Sequence, residues 1–266
     1  MIIDVHIHLD HELYKNDIDN VIKKAEKAGV VKIISAGLDK NSSKECIKIS
    51  KKYSIVEAAA GIYPPDALFN EGFYTEKKEY IYDTLNEDIE FIKNNSKSII
   101  AIGECGLDLH SGKDIEFQKN VFREMIKLSI ELDKPIVIHS RKAEQEVLDV
   151  LKEFKELKPE KVIMHCFSGK KKLIDECIQR KYNFSIPTNI VRAENFKELV
   201  KKAPIKTLLT ETDGPYLSPY KNQDKSFNRN EPSYIIETIK QISEIKKITI
   251  EDCKNQIFLN YQKIFS

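Results

Sequence analysis

Short β-branched apolar runs alternate with longer Lys/Glu-rich amphipathic stretches along the whole 266-residue chain. The apolar runs predict strands over Ile2–His6, Val31–Ala36, Ile55–Gly61, Ser98–Gly103, Pro135–His139, Lys161–His165, Tyr182–Ile186 and Thr207–Thr210. Helical periodicity fills the intervals, near residues 16–29, 40–52, 78–94, 114–133, 143–156, 171–180 and 193–203. Residues 232–245 form one more helical pattern and 249–264 a terminal one. Runs such as Val30-Val31-Lys32-Ile33-Ile34 and Ile99-Ile100-Ala101-Ile102 are almost continuously apolar. Continuous apolarity marks strands covered on both faces, as in parallel sheets. Eight strand–helix alternations predict an α/β fold, a (β/α)8 TIM-like barrel with an additional C-terminal helix, as a single domain over 1–266. The alternative is an open doubly wound sheet, which usually carries a glycine-rich phosphate loop after its first strand. Here that strand runs into His6-Ile7-His8.

Composition narrows the function. The 43 basic residues nearly balance the 42 acidic ones, which argues against a broad basic face that coats nucleic acid and leaves room for a local basic rim. Five scattered cysteines without a CxxC pair argue against a disulfide framework or a structural zinc knuckle, and place the protein in a reducing, cytoplasmic setting. The start MIIDVHIHLD does not read as a signal peptide, and no apolar run approaches the ~20 residues of a membrane span, so no membrane partner is expected.

The chemistry gathers at strand ends. Five of the six histidines, His6, His8, His11, His139 and His165, lie within a few residues of one. In a barrel of this kind, side chains at the C-terminal strand ends converge on one mouth. His6 and His8 are two apart on an extended segment and so share a face. Glu104 follows an apolar run, where an unpartnered carboxylate would be costly, whereas at a barrel mouth it can bridge two cations. His139 and His165 end consecutive strands, and Asp213 closes the last one in Thr210-Glu211-Thr212-Asp213-Gly214-Pro215. Four imidazoles and two carboxylates suffice for two divalent metal ions, Mg2+, Mn2+ or Zn2+, with Glu104 and Asp213 as the catalytic carboxylates and Asp213 as general base. Glu211 reads as a supporting acid and Asp108 as a loop or helix-entry acid. Cys166 follows His165 and is expected on the opposite strand face, which disfavours a thiol nucleophile, and no G-x-S-x-G elbow is present.

With these segments assembled, the sequence resembles the TatD family of the amidohydrolase superfamily. The matching pieces are Asp4-Val5-His6-Ile7-His8-Leu9-Asp10, Gly103-Glu104-Cys105-Gly106-Leu107-Asp108, Pro135-Ile136-Val137-Ile138-His139-Ser140-Arg141, His165-Cys166-Phe167-Ser168-Gly169, Thr212-Asp213-Gly214-Pro215-Tyr216-Leu217 and Arg229-Asn230-Glu231-Pro232. The resemblance implies a metal-dependent hydrolase on a TIM-like barrel, usually a 3′–5′ exodeoxyribonuclease. It also implies that His6, His8, Glu104 and Asp213 surround one metal while Glu104, His139 and His165 hold the second. One segment departs from the family's Gly-x-His-Pro-His pattern: Gly61-Ile62-Tyr63-Pro64-Pro65 places Tyr63 and Pro65 where the histidines would stand.

The expected function is therefore a phosphodiesterase acting on DNA, at single-stranded 3′ ends. Arg141, Ser168 and Arg229 are the expected substrate contacts, near the basic run Lys170-Lys171-Lys172, and Tyr63, Tyr216 or Phe167 could stack on a base. The same site could instead serve a metal-dependent esterase or amidohydrolase such as an aminoacyl-tRNA deacylase, because fold and metal site do not fix the substrate. A barrel that has lost catalysis and serves as a scaffold is the third reading, disfavoured by the complete ligand set.

Overall fold

The computed structural model describes residues 1–70, 82–220 and 228–265. Eight strands form the centre: β1 Ile2–Ile7, β2 Val30–Ala36, β3 Val56–Ala60, β4 Ala101–Asp108, β5 Ile136–Arg141, β6 Val162–His165, β7 Asn183–Pro187 and β8 Leu208–Glu211. Each pairs in parallel with the next in sequence. The two ends of the sheet meet where the Thr210 hydroxyl donates to the Ile3 carbonyl at 2.7 Å and Ile7 forms a parallel bridge with Gly214. The sheet is thus a nearly closed barrel, and β1, β4, β6, β7 and β8 are buried along their whole length.

The helices are α1 Ile18–Lys27, α2 Lys40–Lys52, α3 Pro65–Asn70, α4 Tyr82–Asn94, α5 Ile115–Leu132, α6 Glu144–Leu151, α7 Lys171–Gln179, α8 Glu194–Lys202, α9 Ile235–Lys246 and α10 Ile250–Phe265. Their apolar stripes face the sheet; α5, for example, buries Val121, Phe122, Met125 and Ile126 at helical spacing. Helix starts follow local chemistry. Asp39 caps α2 by accepting from the Ser42 amide at 2.8 Å, while the Ser42 hydroxyl accepts from the Asp39 amide at 2.9 Å. The additional C-terminal helix is α10, whose Asn260 side chain donates to the carbonyls of Ile205 and Leu208 beside β8.

Two expectations shift. Residues 78–81 of the predicted helix 78–94 lie outside the described residues, and a short helix not foreseen, α3, begins at Pro65. The fourth strand does not stop at Gly103 but runs from Ala101 to Asp108, so Glu104 lies within it, while Ser96–Ser98 form a 3-10 turn. The continuation depends on Gly106, at φ 142°, where a Cβ would collide with the His139 carbonyl oxygen. Without a side chain there, β4 lies against β5 far enough for Asp108 to pair with Arg141.

Candidate metal centre

Alternation along β1 brings His6 and, just past the strand end, His8 to the same side, and β4, β5 and β6 carry Glu104, His139 and His165 to meet them. Glu104 sits between the two histidine pairs and divides its carboxylate. Oε2 lies 3.1 Å from His6 Nε2 and 3.4 Å from His8 Nε2, and Oε1 lies 2.8 Å from His139 Nδ1 and 3.6 Å from His165 Nε2. Asp213 Oδ1 stands 3.6–3.8 Å from the Nε2 atoms of His6, His8 and His165. Asp213 has φ 54°, a left-handed conformation that aspartate tolerates, and its amide donates to the His6 carbonyl at 2.9 Å.

Three of the four rings are held from behind. His8 Nδ1 bonds the Ala36 carbonyl at 3.0 Å. His165 Nδ1 bonds Glu211 Oε2 at 2.7 Å, and the other Glu211 oxygen accepts from the Cys166 amide at 3.0 Å. His139 Nε2 bonds Asp108 Oδ2 at 3.0 Å. Each of these rings turns its remaining nitrogen toward Glu104 or Asp213. His6 is fully buried, yet neither of its ring nitrogens makes a well-aligned hydrogen bond, Nε2 only standing 3.1 Å from Glu104 Oε2 and Nδ1 having no partner. Burying an imidazole nitrogen without an aligned partner is costly, and a cation between His6 Nε2 and the acids would satisfy that nitrogen. The donor set therefore fits divalent metal, and imidazole mixed with carboxylate suits zinc or manganese.

The electrostatics of the protein without ions agree. Burial alone would raise the Glu104 carboxyl, but His6, His165 and His139 hold it well below the usual range, and Asp213 is lowered by His8, His165 and His6 against the same burial. Burial opposes protonation of His8 and His165, yet the surrounding acids push His8 up to about 9 and His165 up to about 10. His6, lacking a private acid partner, is lowered by burial and by His165. Beside them the buried Asp4, pushed up to about 8 by burial, accepts from the amide and hydroxyl of Thr212 and so ties β1 to the loop that carries Asp213.

A cavity of about 610 Å3 opens above this cluster, lined by His8, Glu104, His139, His165 and Asp213 and also by Tyr63, Arg141, Ser168 and Tyr216. A smaller one of about 410 Å3 at the opposite strand ends, among Lys134, Pro135 and Phe265, contains none of the candidate ligands. Three expectations need correction. Arg229 does not line the cavity: its guanidinium forks onto Asp17 at 2.7 Å, reaches Glu231 at 2.6 Å and the Leu13 carbonyl at 2.6 Å, and so pins the late loop to the loop after β1. Phe167 is buried against Phe184 and cannot stack on a base. Cys166 is not turned away: β6 ends at His165, Cys166 takes φ 43°, and its Sγ comes within 3.1 Å of Glu211 Oε1 at the cavity wall. Burial and the neighbouring Glu211 and Asp213 carboxylates push this thiol well above its ordinary value, which keeps it protonated and a poor nucleophile.

Sequence reasoning offered Tyr63 only as a departure from the family pattern and a base-stacking aromatic, and Asp108 only as a loop or helix-entry acid; it did not foresee that the Tyr63 hydroxyl touches Asp108 and His139. Asp108 does accept from the loop amides of His110 and Ser111, and it also orients His139. Its four-residue spacing from Glu104 at the end of an apolar run was the available signal. His11, close to a strand end in sequence, instead accepts from the Leu13 amide and meets the Tyr216 hydroxyl.

Fold and site together define a barrel hydrolase with a buried imidazole–carboxylate cluster at its mouth. The family described as TatD related DNase matches residues 3–266, and the chain belongs to that family. It is accordingly a metal-dependent hydrolase. Among its relatives, the metal-dependent hydrolase YabD of Bacillus subtilis, itself uncharacterized, is 36% identical over 100% of this chain and 99% of its own length. The human deoxyribonuclease TATDN3 is 30% identical, with 99% and 94% covered, and the 3′-5′ ssDNA/RNA exonuclease TatD of Salmonella typhimurium is 28% identical, with 90% and 89% covered. The crystal structure of the TatD homolog YJJV from Escherichia coli superposes with a TM-score of 0.83 at 23% identity, covering 99% of this chain and 97% of that one, which supports the barrel architecture. Among the described residues no helix is long and apolar enough to cross a membrane.

Proposed function

We propose that this chain, as one barrel domain, hydrolyses phosphodiester bonds at the 3′ ends of single-stranded DNA with two divalent ions, in a reducing cytoplasmic compartment. The observation that carries the reading is the divided Glu104 carboxylate, one oxygen to each histidine pair. His6, His8, Glu104 and Asp213 would hold one ion, and Glu104, His139 and His165 the other. Bound there, divalent cations supply an acidified water and offset charge on phosphoryl oxygens. Asp213, with 17% of its side chain exposed against 3% for Glu104, is the carboxylate that solvent reaches, so it is the group suited to take the water proton. Arg141 and Ser168 at the cavity wall are the substrate contacts, Arg141 through its planar guanidinium. A cavity of about 610 Å3 suits a strand end rather than a continuous duplex. The named activities of the human and Salmonella relatives support DNA and the 3′ direction. Five free thiols, with no disulfide among the described residues, support the reducing compartment.

The test is metal-dependent release of mononucleotides from single strands labelled at either end, alongside ester and amide panels. The expected result is early release of the 3′ label with Mg2+, Mn2+ or Zn2+ and none after chelation. Rapid cleavage of an aminoacyl ester with no nucleotide release would replace this reading by the deacylase one.

A further inference from the structure

Tyr63 stands in the loop after β3. Its amide donates to the Leu38 carbonyl at 2.9 Å, and its ring packs with Leu38 and Ala67, apart from the main core. The hydroxyl lies 3.0 Å from Asp108 Oδ2 and 3.1 Å from His139 Nε2, which is itself 3.0 Å from the same carboxylate oxygen. The donors of this triangle can be assigned. Asp108 Oδ1 accepts the amides of His110 and Ser111, both at 2.8 Å, and Oδ2 accepts the Tyr63 hydroxyl at 3.0 Å, so both carboxylate oxygens act as acceptors. Oδ2 then takes the Tyr63 O–H and the His139 Nε2–H together. That leaves the lone pair of His139 on Nδ1, which faces Glu104 Oε1 at 2.8 Å.

Of the four imidazoles, His139 has the most exposed side chain, 13% against 0%, 6% and 2% for His6, His8 and His165. Packing confines it least, so its orientation depends most on hydrogen bonds. His165 leans on a fully buried glutamate and His8 on a backbone carbonyl, whereas the acid behind His139 is steadied by a tyrosine.

We infer that Tyr63 is a positioning residue for the His139 side of the centre: by fixing Asp108 Oδ2 it holds His139 in the Nε2–H form, with Nδ1 offered to an ion. The inference rests on the two-ion reading above. Groups behind a ligand of this kind tune metal affinity, and their loss typically costs about 10–100-fold.

The experiment titrates ion-free protein with Co2+, following its visible absorption and the bound stoichiometry by equilibrium dialysis. In Tyr63→Phe, which keeps the ring and its packing, the first Co2+ should bind as in wild type. The second should bind about 10-fold more weakly and with an altered absorption band. Asp108→Asn should weaken the same second ion further, and adding Tyr63→Phe to it should change little, because the two act through one bond. Two Co2+ ions bound by Tyr63→Phe with wild-type affinity and spectrum would overturn the role of Tyr63 and leave the metal centre standing. Equal weakening of both ions would also overturn it, showing that the tyrosine merely supports the fold. A wild-type chain that takes up fewer than two ions removes the two-ion reading and this inference with it.

Discussion

Glu104→Gln perturbs the centre at the point where its two halves join. The side chain is 3% exposed, and its two oxygens face different histidine pairs at 2.8–3.6 Å. An amide of the same shape keeps one acceptor oxygen and replaces the other by an NH2 donor. Whichever way it turns, one pair of imidazoles confronts a donor in place of an anionic oxygen, and the full negative charge is gone from both sides. A unit charge about 4 Å from a cation contributes about 4 kcal/mol at an effective dielectric near 20. That corresponds to roughly a thousandfold in a dissociation constant. The variant should retain at most one ion at concentrations that saturate the wild type, and hydrolysis of a 3′-labelled strand should fall by at least about 100-fold. The assay pairs elemental analysis after dialysis with single-turnover kinetics. Two ions retained at wild-type affinity, with turnover unchanged, would refute the reasoning, because the carboxylate would then bridge nothing.

Four further predictions rest on the same geometry. In the ion-free protein the acids hold protons on His8, to about 9, and on His165, to about 10, so ion uptake at neutral pH must displace them. Metal affinity should rise with pH from 7 toward 9 and uptake should release protons to an indicator dye; an affinity flat across that range would contradict the assignment. Burial works against ionised Asp108, but bonds from His139, the Ser111 amide and Tyr63 win and bring it down to about 2 from an ordinary 3.8. A depressed carboxyl contributes stability that is complete above the unfolded value and lost as pH falls through the folded one. Ion-free wild type should therefore lose of order 1–2 kcal/mol more than Asp108→Asn between pH 4 and about 2, read from denaturant melts at each pH. Finally, Arg229→Ala should cost about 1–2 kcal/mol of stability by removing the fork onto Asp17 and one of the two cations on the buried Glu231, where Lys24 remains at 3.2 Å, with little change in KM. Arg141→Ala should raise KM for DNA and lower Tm less than Arg229→Ala does, and the reverse pattern would restore Arg229 as the substrate contact.

Local pattern carried most of the architecture. All eight strands were legible because a barrel strand covered on both faces must be apolar at nearly every position, and because the surrounding helices need a 3.6-residue stripe. The six candidate ligands were legible for a related reason: a histidine or acid at the end of an apolar run has few inexpensive places to go, and a barrel sends all such ends to one mouth. What the chain could not reveal on its own was pairing across distance and the point where a strand stops. Arg229 and Asp17 are 212 positions apart, and nothing local distinguishes an arginine that grips substrate from one that ties two loops. Cys166 enters the cavity because β6 ends one residue earlier, and Gly106 lets β4 run on to deliver Asp108 to His139. Which ring nitrogen faces Glu104 and Asp213 was likewise decided by carbonyls and carboxylates on other strands. Periodicity reports how a residue is buried relative to its own element; only packing decides which other element it meets.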